Sequence, residues 1–531
     1  MITAALALCA IQEPAGVEET QFDARHYVTS LTTAIVTQHP DFEGTTEAEF
    51  GARCLARLRE RFAAEPTLLR VHRHARKDFV DPGSFTGDWD AFCQAWLPEG
   101  AGDADVEIDR RLSLLAEAEL DALGDPFTHL LRGDHLYNLG SILDQLMPSA
   151  MGLSARPDGE RYRLDAVVRD SDAWRKGVRP GDELVAIGGL SVHGRPRRTI
   201  DNWLARPGPI TIQRAGFISP LELVIDALQP TAGLSASLLD GDVGYLSFQL
   251  FSVGLFAPLM NQAVKLQRRG AKAFVLDLRC NPGGAISEGQ AIAGLFVPEK
   301  SVVAKIRQRE SVHVLPAELR TGHPRFGPDV PVVVLIDGGS ASCSELLASA
   351  LRDLAGSRLV GATTFGKGVG QSVVPLILMG AGAPTGRPRT DALWLTNLRF
   401  VSPLDHDHHR IGIVPDVAIV DPPLTRERMV ARARLLDRPE FIEALTELDV
   451  TTEEIAALRA GATVPAAVLA LAQQHDLAPA DDEASAALAD ITRFALANRH
   501  PELAACPPLD PPLAAALAEA HARLAAPPSG Q

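Results

Sequence analysis

Between Phe22 and about Leu131 the apolar positions recur at helical spacing. Phe50, Cys54, Leu55, Leu58 and Phe62 fall on one stripe, and Thr46 with Glu49 ahead of them forms the S/T-x-x-E signature of a helix start. From Met151 to about Leu228 the period shortens. Runs of β-forming residues (Tyr162 to Val168, Glu183 to Ile187, Ile210 to Ile212, Leu221 to Ile225) are separated by Gly, Pro and Asp turns. From Gly241 to Val420 strand-like runs (Val243 to Phe248, Phe274 to Leu278, Val332 to Ile336) alternate with helix-like ones (Ala257 to Arg268, Ser287 to Leu295, Ser344 to Leu354), as in a layered α/β core. After Asp421 an Ala- and Leu-rich helical tail follows, with a second capping box at Thr451 and Glu454. It breaks into Pro-rich sequence near Cys506 and ends in PPSGQ.

The pattern predicts a multidomain α+β protein. Its segments are a candidate export leader over 1–20, a helical N-terminal domain over 21–138, a small β domain over 139–230, an α/β layered domain over 231–421 and a helical C-terminal region over 422–531. A chain of 531 residues is too long for one core, which agrees with this division. With 46% hydrophobic and 22% charged residues the composition is that of a globular protein. A formal charge of −16 opposes nonspecific nucleic-acid binding, which needs clustered Lys and Arg. Six cysteines in this length make no disulfide framework and read as buried thiols. No run reaches the roughly 18 to 20 apolar residues of a membrane span. Met1 to Ile11 looks like the apolar part of an export signal but is short and lacks a basic start, so exported and cytoplasmic readings both stay open.

The chemistry concentrates between Pro331 and Gln371. A β-branched run ends at Ile336, a turn of small residues follows, and a helix-compatible stretch starts near Cys343, which puts Ser342 at a strand-to-helix turn. There the unpaired N–H groups and the dipole of the new helix favour developing negative charge, as an attacking serine requires. No His lies in this segment, but Lys367 lies 25 residues on, inside the Gly-flanked loop TTFGKGVGQ. Lysine can act as the base only when neutral, which calls for desolvation and no close carboxylate. Glu345 and Asp353 share the Ser342 face of the expected helix. Eleven residues of helix rise about 16 Å, so Asp353 takes a supporting role rather than a contact with Ser342.

SASCSE with Asp353, then TFGKG and Gln371, resembles the carboxyl-terminal processing, or tail-specific, serine peptidases, whose pattern is SASASE, an aspartate and TFGKGxxQ. The resemblance implies Ser342 as nucleophile, Lys367 as base and Gln371 as the residue that orients the lysine, with Ser340 and Ser344 as bystanders. LDLRCNPGG, from Leu276 to Gly284, resembles the family's DLRNNPGG, with Cys280 in place of Asn. Its glycine turn, Gly283 or Gly284, is then one half of an oxyanion hole and the N–H of Cys343 the other. LGDPFTHLL (Leu123 to Leu131), GVRPGDELVAIGG from Gly177 and IGIVPDV (Ile411 to Val417) extend the likeness. The second of these resembles a PDZ signature, with Ala150, Met151, Gly152 and Leu153 as the peptide-binding stretch. The fold implied is a PDZ-like domain poised over a crotonase/Clp-protease-like core. The implied activity is endoproteolysis of proteins or their C-terminal tails in an exported, periplasm-like setting, without cofactor or metal. The implied partners are substrates with free C-termini and an adaptor or activator. Nucleic acid is not among them, and peripheral membrane association has no support.

Other readings compete. Gly361 to Lys367 fits a phosphate-binding G-x-x-x-x-G-K, but Gly368 follows where a Ser or Thr is needed and Ser372 to Leu376 reads as a strand. A catalytically silent PDZ and peptidase-fold scaffold would not need Ser342, Lys367 and Gln371 together. Asp405 to His409, DHDHH, invites a metal reading, although adjacent histidines in a polar turn usually face solvent. Cys280 and Cys343 fall on turns lining the expected site, so a disulfide between them is one expectation and two packed thiols the other.

Overall fold

A computed structural model describes residues 24–64, 80–97, 106–131, 150–228, 234–376, 391–419 and 424–525, apart from positions 170, 196, 241, 311, 313, 328, 462–463, 498, 501–502, 504 and 507–509. The candidate leader and the final PPSGQ lie outside the described residues. The chain forms two compact units. One gathers Met1–Ile142, Gln308–Leu315 and Gly370–Arg399, and the other Leu143–Arg307, Pro316–Val369 and Phe400–Gln531. Leu376, Leu393 and Leu395, read from sequence as part of the α/β domain, thus pack with the N-terminal helices.

In the first unit the helices Ala24–Gln38, Glu47–Ala64, Trp89–Trp96 and Val106–Leu123 bury their apolar stripes together. The expected stripe is fully inside: Phe50, Cys54, Leu55, Leu58 and Phe62 are all buried. Thr46 and Glu49 exchange the two capping-box hydrogen bonds ahead of it. The strand His129–Leu131 pairs antiparallel with Ala392–Val401, and Leu393 and Leu395 join the helical core. At its centre Glu119 is fully buried, accepting Thr32 Oγ1 at 2.7 Å and Trp89 Nε1 at 3.3 Å.

The second unit holds two sheets and the C-terminal helices. Residues 150–228 form an antiparallel sheet, ordered Leu153–Asp158, Arg161–Val167, Glu183–Ile187, Gly208–Gln213, Leu221–Ile225. Alternation sets its faces: along Leu221–Ile225 residues 221, 223 and 225 point in and 222 and 224 out. The strand Leu153–Asp158 is at the edge, with the helix Arg197–Leu204 packed against it. Met429, from the C-terminal helix Arg426–Leu436, completes this domain's core.

The other sheet runs Val417–Ala418, Arg358–Gly361, Val332–Ile336, Ala273–Asp277, Val243–Phe248, Leu234–Leu239. All pairs are parallel except the last. Its central strands Ala273–Asp277 and Val332–Ile336 are buried at every position, which is why they read as unbroken apolar runs. The helix Pro511–Ala525 covers one face, setting Leu513, Ala516, Leu517 and Ala520 against Val243, Tyr245, Val275, Val333 and Leu335. At the carboxyl end of the central strands, where open α/β sheets leave a crevice, the turns 278–284 and 337–342 meet.

Candidate active site

Ser342 ends the turn that follows Val332–Ile336, and the helix Cys343–Ala355 starts immediately after it. Its φ of 56° lies in the left-handed region that side-chain-bearing residues seldom adopt, so the surroundings must hold it there. Neighbouring groups supply that hold. The Ser340 hydroxyl donates to the carbonyl of Leu278 at 2.7 Å, and the Ser344 hydroxyl to that of Asn281 at 2.8 Å. The N–H of Ala341 reaches the same Asn281 carbonyl at 3.0 Å. Ser340 and Ser344 are therefore buried stitches between the two turns rather than idle neighbours.

The glycine turn lies against this nucleophile turn. A side chain on Gly283, whose φ is 104°, would come within 2.8 Å of the Ala341 carbonyl oxygen, the Cys343 nitrogen and Ser342 Cβ. The two glycines differ. Gly283 N–H donates to Asn281 Oδ1 at 3.0 Å. No partner among the described residues takes the N–H of Gly284 or that of Cys343, the first residue of the helix. These two N–H groups lie in the turns that meet at Ser342, that of Cys343 at the positive end of a helix dipole, and suit a developing oxyanion.

One buried carboxylate joins this turn to the loop of Lys367. Glu345 Oε2 accepts the N–H of Ser342 at 2.9 Å and that of Lys367 at 2.8 Å, while Oε1 accepts Gly366 N–H at 2.8 Å and Thr364 Oγ1 at 2.5 Å. Burial pushes its carboxyl above the usual range, against four donors that favour the charged form. Lys367 is half-buried. A carboxylate thus stands close to its backbone, contrary to the expected absence of one, and accepts its N–H. The far side of the loop is held by 408–413: Arg410 N–H donates to the Gly366 carbonyl at 2.7 Å and Ile413 N–H to Thr364 Oγ1 at 2.6 Å. Gly366, at φ 92°, leaves no room for a side chain against Gly412 N, at 2.8 Å.

Asp353 sits near the far end of the nucleophile helix, accepts the N–H of Leu404 at 3.4 Å and lies 3.7 Å from its helix neighbour Arg352. In the histidine run, His408 is not solvent-facing, as adjacent histidines in a polar turn were expected to be. It is 5% exposed, its Nε2 lacks a hydrogen-bond partner among the described residues, and burial with the charge of Arg352 pushes its pKa down to about 4.

Cys280 and Cys343 are separate thiols, so the expected disulfide does not form. Their side chains are engaged elsewhere: Cys280 Sγ donates to Asp337 Oδ2 at 3.2 Å and Cys343 Sγ to the Ala285 carbonyl at 3.4 Å. Burial raises both thiol pKa values.

Gln371 belongs to the first unit, whereas Ser342 and Lys367 belong to the second. Its Nε2 donates to Thr396 Oγ1 at 3.0 Å, Thr396 N–H to Thr128 Oγ1 at 3.1 Å, and the Thr128 hydroxyl to Asp125 Oδ2 at 2.6 Å. LGDPFTHLL, read from sequence only as a joint, supplies both Asp125 and Thr128 to this relay. Ala150–Leu153 forms the turn into the edge strand of the β domain, with Met151 and Leu153 buried and Gly152 at φ 71°. On that strand Arg156 lies 6.0 Å above the ring of Phe365, two residues before Lys367.

Comparison with known proteins follows the same lines. Residues 242–419 match peptidase family S41. A carboxyl-terminal-processing protease of Synechocystis sp. is 30% identical over 363 residues, 66% of this chain and 79% of the relative. The chloroplastic carboxyl-terminal-processing peptidase 3 of Arabidopsis thaliana is 29% identical, over 68% of this chain and 70% of its own. The solved structure of a photosystem II D1 C-terminal processing protease superposes with a TM-score of 0.53 at 20% identity, covering 78% of this chain and 97% of that one, a likeness of fold.

Proposed function

Since this chain belongs to the carboxyl-terminal-processing serine peptidases of family S41, we propose that it cleaves protein chains with Ser342 as nucleophile and Lys367 as general base. The observation that carries this reading is the Glu345 carboxylate, which receives the backbone of both residues and so fixes one against the other. Neutral Lys367 removes the Ser342 hydroxyl proton as Oγ bonds to the scissile carbonyl carbon. The N–H groups of Gly284 and Cys343 receive the oxyanion. Collapse breaks the C–N bond, and the proton on Lys367 passes to the departing amine. Water, deprotonated by the same lysine, attacks the acyl-enzyme, releases the new carboxyl end and returns the proton to Ser342. Activity falls at low pH as the lysine protonates. Asp353 and Glu345 support the frame. No step calls for a metal or cofactor.

The β domain of residues 150–228 is read as a PDZ domain. Its edge strand Leu153–Asp158, with the helix Arg197–Leu204 packed beside it, is the place for an extended substrate tail to add as a further strand, near Ala150–Leu153. The substrates are proteins with accessible C-termini, met outside the cytoplasm. Degradation of an unstructured protein with an apolar C-terminal tail tests this reading, comparing the wild type with Ser342→Ala and Lys367→Ala. Loss of cleavage in both supports the dyad. Tail binding without cleavage by the wild type, in the presence of any activator, would favour the silent scaffold.

A further inference from the structure

The family match stops at residue 419, yet the chain beyond it reaches back to the glycine turn. Arg279, immediately before Cys280, is 7% exposed and lies between two carboxylates. Its Nε and Nη2 donate to Asp277 at 3.0 and 2.6 Å, and its Nη1 and Nη2 to Asp510 at 2.8 and 2.7 Å. Asp277 also accepts Arg169 Nη1 and the Tyr245 hydroxyl, each at 2.8 Å. Two arginines thus balance two aspartates in a cluster whose Asp277 and Arg279 are buried and whose Arg169 and Asp510 are half-buried. Without Asp510 the cluster would carry an uncompensated positive charge, a state that buried groups avoid by moving.

What that movement would disturb is the turn. Cys280 has a φ of 58°, a conformation that a side-chain-bearing residue keeps only where its neighbours over-determine it. One restraint is Cys280 N–H, donated to Asp337 Oδ1 at 2.8 Å, and another is the guanidinium of the preceding residue. Three and four residues on come Gly283 and Gly284. Resting on the reading that this turn supplies an oxyanion donor, we propose that Asp510 is a positioning residue of the active site: it clamps Arg279 and so fixes the turn that presents the Gly284 N–H to the reacting carbonyl. The tail beyond the family match is then part of the catalytic apparatus.

Asp510 has a second task, which allows the two to be separated. Its Oδ1 also accepts Leu513 N–H at 2.9 Å, capping the helix Pro511–Ala525. Asparagine caps a helix about as well as aspartate, but brings no charge and cannot accept two guanidinium hydrogen bonds with both ends. Asp510→Asn therefore removes the clamp and spares the cap. Leu517→Ala does the reverse, loosening the helix on the sheet while leaving Asp510 in place.

The test uses the full chain, with steady-state cleavage of a tailed substrate, labelling of the nucleophile by a fluorophosphonate, and thermal melting of each variant. Asp510→Asn is expected to lower kcat about tenfold to a hundredfold, as for a small misplacement of reacting groups, with KM nearly unchanged and labelling slowed in parallel. Asp510→Glu, which restores the charge, should recover part of the loss. Leu517→Ala should lower the melting temperature at least as much while keeping kcat within about twofold below its melt. Wild-type kcat in Asp510→Asn, or losses in both variants that track melting temperature, overturn the proposal. Ser342→Ala is run alongside: if it is still labelled or still cleaves, the nucleophile assignment fails, whatever Asp510 does.

Discussion

One oxygen of Glu345 accepts the backbone N–H of Ser342 and that of Lys367, at 2.9 and 2.8 Å, so residues 25 apart in sequence share a single acceptor. In Glu345→Gln the amide nitrogen must face an N–H donor whichever way it is turned. kcat should fall about a hundredfold with little change in KM. Glu345→Ala leaves several buried donors unsatisfied and should also lose about 2 to 4 kcal/mol of stability, read from urea unfolding.

Gly283 gives a sharper steric test. A methyl group there would lie 2.8 Å from Ser342 Cβ and Cys343 N, and the φ of 104° adds strain. Gly283→Ala should cut kcat by about a hundredfold to a thousandfold, the range for losing an oxyanion donor. Substrate-tail binding to the β domain, followed by fluorescence anisotropy, should persist.

His408 makes stability depend on pH. Its folded pKa, about 4, lies below its ordinary value, so between about pH 6.5 and 4 the unfolded chain binds a proton that the folded chain does not. Its contribution is whole above pH 6.5 and is lost as pH falls toward 4, up to about 3 kcal/mol. His408→Gln should flatten that limb of the urea-midpoint profile.

Glu119 acts in the opposite sense. Burial raises its pKa to about 8, and its Oε2 lacks a hydrogen-bond partner among the described residues. The folded chain holds a proton that the unfolded one releases above about pH 4.5, so stability declines as pH rises from there through 8. Glu119→Gln, neutral at every pH, should remove the decline, and the difference from wild type should be largest near pH 9.

In the first unit, Thr128→Val breaks the relay from Asp125 to Thr396 while keeping the side chain's shape. It leaves the Thr396 N–H without its acceptor and should cost about 1 to 3 kcal/mol. If Gln371 orients the base, activity should fall in the same direction as in Gln371→Ala.

Much of this was legible in sequence because it rests on local pattern. The strands Glu183–Ile187, Leu221–Ile225, Val243–Phe248 and Val332–Ile336 have the limits that their β-branched runs suggest. The capping boxes at Thr46 and Thr451 follow from a three-residue spacing. What escaped depends on contacts between distant segments. Nothing near Asp510 announces Arg279, which lies 231 residues away. That the N–H of Gly283 is taken depends on where the Asn281 side chain points. In the same way, polar neighbours in sequence do not reveal that His408 is buried, within reach of the charges of Arg352 and Asp353.

The helix Pro511–Ala525 has a consequence for the order of synthesis. It covers the face of the central sheet and leaves the ribosome after every other described element. Until then Val243, Val275 and Val333 stand uncovered on the nascent chain and Arg279 lacks its second carboxylate. The sheet face and the Arg279 side chain are thus made well before the segment that covers the one and pairs with the other, so this part of the fold closes from its C-terminal side.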